Sequence, residues 1–581
     1  MSKIVYVCIR DATKASPFKQ RVLYVVPKLV PDNIPTAPCR FAEYGNINYG
    51  ISAYSESIIE KDGSVCVGMV YPGPEKWWQP LDGHPDGSFA IFRSNDTYVE
   101  LLTDIAASRT IWYYKDDKVF IAGTSQRAVI AVAGNFEFDK RVIPWVLSSG
   151  TLGPSFGWCK NISRVEPNGS LLLNRQTWKL STHTIKADYS PNKISDKEHE
   201  EQLKEVLVDS FSNLDLDFSK WILPISGGFD SRGIACLLKK TGKDISHLKT
   251  LTWGLKASLQ DEKTDAYVGG ALAQSLGLEH NFFEIDHIDE NIENIFSRYI
   301  SCSEGRIDHI TGYTDGFATW KGIFETVSHG IIRGDESFGW QSVFTSTRCR
   351  VINDLTLLSD FSNFEILQKN GFDKQQIPSH LLKRDGESYN TWADRLYDEF
   401  TLPVMMAALN DIKLSYAEVV NPLLSSKIIM HLRTMPDHLR KNKLIFRKFV
   451  KELSPDVNFA TKDSTGEMER ILDSPGAVQM MSAELSSAYM TNLYPEEFIE
   501  KIIDCLHKPA GKNTSSLSGT IKQTLKNNMP SYLKEKLSMH LQKPFIDNSL
   551  IAFRMYMTGK MYRMLAEDVK ESNMAKYLTP A

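Results

Sequence analysis

Up to about residue 185 the chain alternates apolar and polar positions in short runs between turns: Lys3 to Ile9, Arg21 to Val26, Ser64 to Val70, Ser88 to Arg93, Tyr98 to Leu102, Thr110 to Tyr114, Val119 to Gly123 and Ser170 to Leu173. A period near two over such lengths predicts strands of antiparallel sheet. The pattern changes at Ser195-Asp196-Lys197-Glu198, whose Ser-x-x-Glu spacing is that of a capping box. Leu203, Val206, Leu207 and Phe211 follow at helical spacing, so a second domain is expected to begin here. Apolar runs at Trp221 to Ile225, Leu248 to Trp253 and Asn281 to Ile285 then alternate with helical stretches at Gly233 to Lys240 and Asp261 to Leu276. Strand and helix in alternation predict an α/β domain with a parallel sheet. Beyond about residue 390 the period is mostly helical, broken by a polar stretch at Lys508 to Ser518 that reads as a loop or linker.

A length of 581 residues exceeds what one hydrophobic core organises, which agrees with two large domains, 1–185 and 190–581. Apolar residues at 42%, charged residues at 24% and a net charge of -4 are globular values and supply no polycationic face for nucleic acid. The first apolar run, Ile4 to Ile9, is too short for a secretory signal, and no run approaches a membrane span, so a cytoplasmic protein is expected. The eight cysteines show neither Cys-x-x-Cys nor ligand spacing to histidine, and they read as reduced thiols.

Candidate chemistry concentrates where the run ending at Ile225 meets Ser226-Gly227-Gly228-Phe229-Asp230-Ser231-Arg232. A strand that turns through small residues into a helix presents backbone N–H groups and the positive end of the helix dipole, a setting suited to phosphate. The glycines permit close approach, Ser226 and Ser231 can donate to phosphate oxygens, and Asp230 can hold magnesium against a triphosphate. No Gly-x-x-x-x-Gly-Lys-Ser/Thr occurs, so a Walker-type loop does not compete.

This loop resembles the pyrophosphatase loop of the asparagine synthetase B-like family of adenylating enzymes, which includes β-lactam synthetases and lasso peptide cyclases. The resemblance continues at Leu251-Thr252-Trp253-Gly254-Leu255, similar to the strand that lies beside adenine. It continues again at Arg333-Gly334-Asp335-Glu336-Ser337-Phe338-Gly339-Trp340, similar to a turn whose aspartate is the family's second magnesium ligand. Tyr416 to Leu424 and Lys443 to Arg447 resemble two later segments, although Val420 stands where the family has arginine. Lys462, in Ala460 to Gly466, is similar to the lysine that contacts phosphates during transfer. The resemblance therefore implies nucleotide binding by Ile225, Ser226, Gly227, Gly228, Asp230, Ser231, Trp253 and Asp335. It also implies magnesium on Asp230 and Asp335, and catalytic roles for Lys462 and for Glu418, the latter as a base or a structural anchor.

The first half is similar to the late part of that family's glutaminase domain, at Gly87 to Ala90, Asp104 to Tyr114, Phe120 to Ser125 and Asn161 to Leu173. Position 2 is Ser2 rather than the nucleophilic cysteine, and the glutamine-binding elements are missing. The resemblance then implies an α+β, Ntn-type sandwich that has lost ammonia production, followed by an α/β ATP-pyrophosphatase synthetase domain. Without ammonia from glutamine the enzyme is expected to use an amine already on its substrate, as lasso cyclases and β-lactam synthetases do. The turn ending in Trp340 is closer to the lasso cyclases.

The expected activity is ATP-dependent macrolactam synthesis on a precursor peptide, joining an Asp or Glu side chain to the N-terminal amine, with ATP and Mg2+ as cofactors. A leader peptidase and a leader-binding protein are the implied partners. The alternatives are an amidotransferase or β-lactam synthetase-like enzyme acting on a small acid, and a non-catalytic peptide-binding scaffold. The basic segment with Arg440, Lys441, Lys443, Arg447, Lys448 and Lys451 reads first as a solvated face, with peptide docking as its alternative.

Overall fold

The computed structural model describes residues 2–11, 13, 16–71, 76–286, 290–326, 329–363, 371–465, 471–507 and 544–575. The expected linker at Lys508 to Ser518, and Gly466, lie outside the described residues. Ahead of residue 185 the strands are β1 (Lys3–Ile9), β2 (Arg40–Tyr44), β3 (Ile47–Ser52), β4 (Ile59–Lys61), β5 (Ser64–Val70), β6 (Gly87–Ser94), β7 (Tyr98–Thr103), β8 (Trp112–Lys115), β9 (Val119–Gly123), β10 (Ser163–Arg164), β11 (Gly169–Asn174) and β12 (Lys179–Thr184). They form two antiparallel sheets, ordered β10-β8-β9-β1-β3-β2 and β12-β11-β7-β6-β5-β4.

The two sheets bury one face of each against the other. Ile4, Tyr6 and Cys8 of β1 join Val65, Val67, Ala90, Phe92 and Leu101 of the second sheet in one cluster. Val5, Val7 and Ile9, pointing the other way, join Val22 and Val25 of helix Ser16–Val25 and Ala128 and Val129 of helix Gln126–Ala133. Burial on both faces explains why β1 is apolar at almost every position.

The expected strand at Arg21 to Val26 is instead the end of helix Ser16–Val25 and a short 3-10 turn at Val26–Leu29. Its β-branched residues favour a strand locally, but Val22 and Val26 close over Gly50 of β3, where a Cβ would lie 2.8 and 2.7 Å from their methyls. Tertiary packing outweighs a propensity difference that is small per residue.

The capping box at Ser195 is formed: its hydroxyl accepts from the Glu198 N–H, and the Glu198 carboxylate accepts from the Ser195 N–H at 2.8 Å. Helix Asp196–Ser212 leads into β13 (Trp221–Pro224), β14 (Lys249–Gly254), β15 (His280–Glu284), β16 (Gly330–Ile332) and β17 (Glu418–Val420). These pair in parallel in the order β15-β14-β13-β16-β17, so the chain reverses its direction of travel between β13 and β16. Ligands of such sheets bind at the carboxyl ends of the strands beside that reversal. The architecture is mixed α/β with antiparallel and parallel sheets in one chain.

Helix Asn548–Ala575 packs against both halves, burying Phe553, Tyr556, Met557 and Met561 in the cluster that also holds β1 and helix Ile292–Ser303. Its Asp568 carboxylate accepts from Arg127 Nε at 2.5 Å, and its Arg554 reaches Asp308 at 2.7 Å. Among the described residues no disulfide joins any of the eight cysteines. Among the described residues no helix is long and apolar enough to cross a membrane.

Candidate functional site

A cleft of about 320 Å³ opens at the carboxyl ends of β13, β14 and β16. The segment after β13 supplies Ile225, Ser226, Asp230 and Ser231, β14 supplies Trp253, and the turn after β16 supplies Arg333, Gly334 and Asp335. Asp463, Ser464 and Thr465 close one side.

The loop from Ser226 to Asp230 is folded by its own polar groups. Ser226 N–H donates to Ser231 Oγ at 3.0 Å, Gly228 N–H to Ser226 Oγ at 3.2 Å, and Gly227 N–H to Asp265 Oδ1 at 3.0 Å. Gly227 has no room for a side chain, because a methyl there would overlap that of Ala460. Gly227 and Gly228 therefore shape the loop, while Ile225, Ser226 and Ser231 face the cleft. Helix Asp230–Lys240 begins at Phe229 with no side-chain cap, so its first N–H groups are open to an acceptor from the cleft.

Asp230 and Asp335, the two candidate metal ligands, line the same cleft, and Gly334 sets their loops side by side. A Cβ on it would lie 3.0 Å from Asp230 Cβ, so the turn after β16 abuts the loop after β13. Asp335 accepts from Arg333 Nη2 at 3.3 Å through one oxygen; its other oxygen, Oδ2, is buried without a hydrogen-bond partner among the described residues. Buried polar atoms are ordinarily satisfied, so an unpartnered carboxylate oxygen in a cleft suits a cation. Among the described residues no group of three or more His, Cys, Asp or Glu stands ready to hold an ion alone. Magnesium commonly takes one or two carboxylates and completes its shell with water and substrate phosphates, so Asp230 and Asp335 fit it.

Three basic side chains stand around these carboxylates: Lys443, expected on a solvated face or in peptide docking, and Arg333 and Lys413, to which the sequence assigns no site role. Lys443 Nζ bridges Asp230 at 2.9 Å and Glu336 at 2.7 Å. Burial would lower its pKa, yet Glu336 and Asp230 raise it, so the ammonium stays charged. Burial pushes Glu336 up to about 7, with Asp230 adding to the rise and Lys443 opposing it. Arg333 lines the cleft. Behind it, Lys413 is buried with Asn410 Oδ1 as acceptor at 3.1 Å; burial and then Arg333 lower it to about 7, against Asp335. Lys443 was within reach of sequence reasoning, since its segment resembles a family element; Lys413, on a helix far along the chain, carries no local signal.

Lys462 pairs with Asp261 at 2.6 Å at the exposed margin, just before the Asp463 to Thr465 wall. Glu418 is placed elsewhere. It begins β17 and is buried at the junction with the first half, paired with Arg109 and accepting from Ser2 N–H at 3.2 Å. Burial, the largest single influence, would raise its pKa, but Arg109 together with smaller contributions that include the Ser2 N–H outweighs it and brings it down to about 2. A carboxylate so committed is a structural anchor and not a base for an amine in the cleft. Ser2 is itself buried, its hydroxyl donating to Ala53 O at 2.9 Å.

No protein-family model matches the chain, and no curated protein matches it. Among solved structures, the glutamine phosphoribosylpyrophosphate amidotransferase of B. subtilis, complexed with ADP and GMP, is similar over 49% of this chain and 83% of its own. The identity is 7% and the TM-score 0.21, too loose a superposition to decide fold or activity.

Proposed function

We propose that the chain is an ATP-dependent amide ligase of the asparagine synthetase-like type, with an Ntn-like first half and an ATP-pyrophosphatase second half, and that it acts as a lasso peptide macrolactam synthetase. The observation that carries the adenylation step is that Asp230 and Asp335, from two loops that abut at Gly334, line one cleft beside the uncapped start of helix Asp230–Lys240. Charge on a triphosphate and on a departing pyrophosphate is what such an arrangement stabilises.

In this reading a substrate carboxylate oxygen attacks the α-phosphorus of ATP, the bond to the β-phosphate oxygen breaks, and pyrophosphate leaves. The substrate's amine nitrogen then attacks the acyl carbon, AMP departs with the electron pair of the acyl–oxygen bond, and the nitrogen releases its proton to solvent. Trp253 packs beside the base, Ser226 and Ser231 orient phosphates, and Lys462 brings positive charge from the margin. Asp230 and Asp335 would hold magnesium, which when bound neutralises phosphate charge.

Burial of Ser2 beneath Glu418 favours an amine carried by the substrate over ammonia made in the first half. The test is mass spectrometry of leader-free precursor peptide with ATP and magnesium, alongside pyrophosphate release. Loss of one water coupled to AMP formation, abolished by Asp230→Ala, is expected. Turnover of a small acid with ammonia would replace the macrolactam by an amidotransferase, and no turnover would leave a scaffold.

A further inference from the structure

Asp230 borders a second cavity, also about 320 Å³, on the side away from Trp253 and Ser464. Its walls are the turn at Gly339 and Trp340, the side chains of Lys443 and Arg447, and Phe229. The frame is rigid: Phe338 stacks on Phe446 of helix Leu444–Leu453 with ring centroids 4.1 Å apart, and Asn442 N–H donates to Trp340 O at 2.9 Å.

The lining combines two chemistries. Arg447 lies over the Phe229 ring at 4.4 Å and has no ion-pair partner among the described residues; nor do the exposed Lys441 and Lys451, outside the cavity lining on the same stretch of chain. Against these cations the cavity itself sets one carboxylate, Asp230, already shared with Lys443. In the same lining Trp340 is 44% exposed, a large aromatic group left to solvent. A solvated basic face needs no aromatic walls, and a small inorganic anion needs neither the apolar groups nor this volume. An unpaired guanidinium set beside exposed aromatic surface suits a chain that carries both carboxylates and apolar side chains.

We infer that this second cavity binds an acidic peptide segment, with a carboxylate on Arg447 and an apolar side chain against Trp340. The proposal rests on the ligase reading only for the fate of the bound carboxylate; binding itself needs no nucleotide.

The probe is a fluorescein-labelled hexapeptide of alternating glutamate and phenylalanine, followed by anisotropy on the full chain without ATP. Its counterpart with lysine for glutamate, and inorganic pyrophosphate as competitor, complete the set. The acidic peptide is expected to bind at least about tenfold more tightly than the lysine peptide, a difference of ~1.4 kcal/mol. Arg447→Glu is expected to remove that preference and Trp340→Ala to weaken binding by about fivefold or more. Both side chains are exposed, so folding is retained, and Trp340→Ala, which changes no charge, should leave affinity for a fluorescent ATP analogue unchanged. Equal affinity of the two peptides, indifference to Arg447→Glu, or saturation by pyrophosphate with no peptide binding would each overturn the inference. Peptide binding with no ATP cleavage would instead remove the ligase reading and leave this site standing.

Discussion

Lys443 and Glu418 show how differently one buried ion pair can act. Lys443 neutralises Asp230 and Glu336 in the place where magnesium is expected to bring its own charge, so it competes with the ion it stands in for. Lys443→Met should tighten nucleotide-free Mn2+ binding by about tenfold, ~1.4 kcal/mol, read by electron paramagnetic resonance. Unchanged affinity would show that the ammonium and the ion do not share these oxygens. Glu418 has no such rival, and its pairing with Arg109 ties β17 to the first half. Glu418→Gln leaves a buried guanidinium without its counter-charge, a loss of about 3 kcal/mol near neutral pH. Because the folded pKa, about 2, lies below the ordinary 4.5, this contribution is whole above 4.5 and disappears as pH falls from there through about 2. Urea midpoints of the two proteins should therefore converge in acid, and a gap that persists at pH 2 would refute the ion-pair account.

At the scale of elements, the loop between β13 and helix Asp230–Lys240 works because Gly227 lets Ala460 close against it. Gly227→Ala should weaken binding of a fluorescent ATP analogue by about tenfold while circular dichroism is kept, since overpacking at one contact displaces the loop at a cost of roughly 1–3 kcal/mol. Pairing it with Ala460→Gly should recover part of the loss, and no recovery would place the fault in the backbone of the loop. This element was legible in the sequence because its chemistry is local: strand, small residues and helix follow one another within a few positions. Most of the early strands were legible for the same reason, their alternation being a property of the run itself. The run at Arg21 to Val26 was not, because Gly50, which admits a helix there, belongs to another strand. Nor were Arg333 and Lys413, whose place around Asp335 depends on helices and strands brought together only by the fold.

Over the whole molecule, helix Asn548–Ala575 joins what the sequence divides at about residue 185. Its core cluster is continuous from β1 through helix Ile292–Ser303, and Arg127 and Asp568 are paired within it. The two halves are accordingly expected to unfold together. Asp568→Asn should lower stability by about 3 kcal/mol. Tryptophan fluorescence and circular dichroism should still report one coincident urea transition; two separated transitions would mean the halves are energetically independent.

Asp230 is the wall between two cavities, and that has a thermodynamic consequence. A ligand that alters the charge felt by this carboxylate from one side changes the free energy of binding on the other. Linkage then requires reciprocity: whatever factor ATP contributes to peptide affinity, the peptide contributes to ATP affinity. A single aspartate would thereby set the order in which two reactants arrive, without any moving lid.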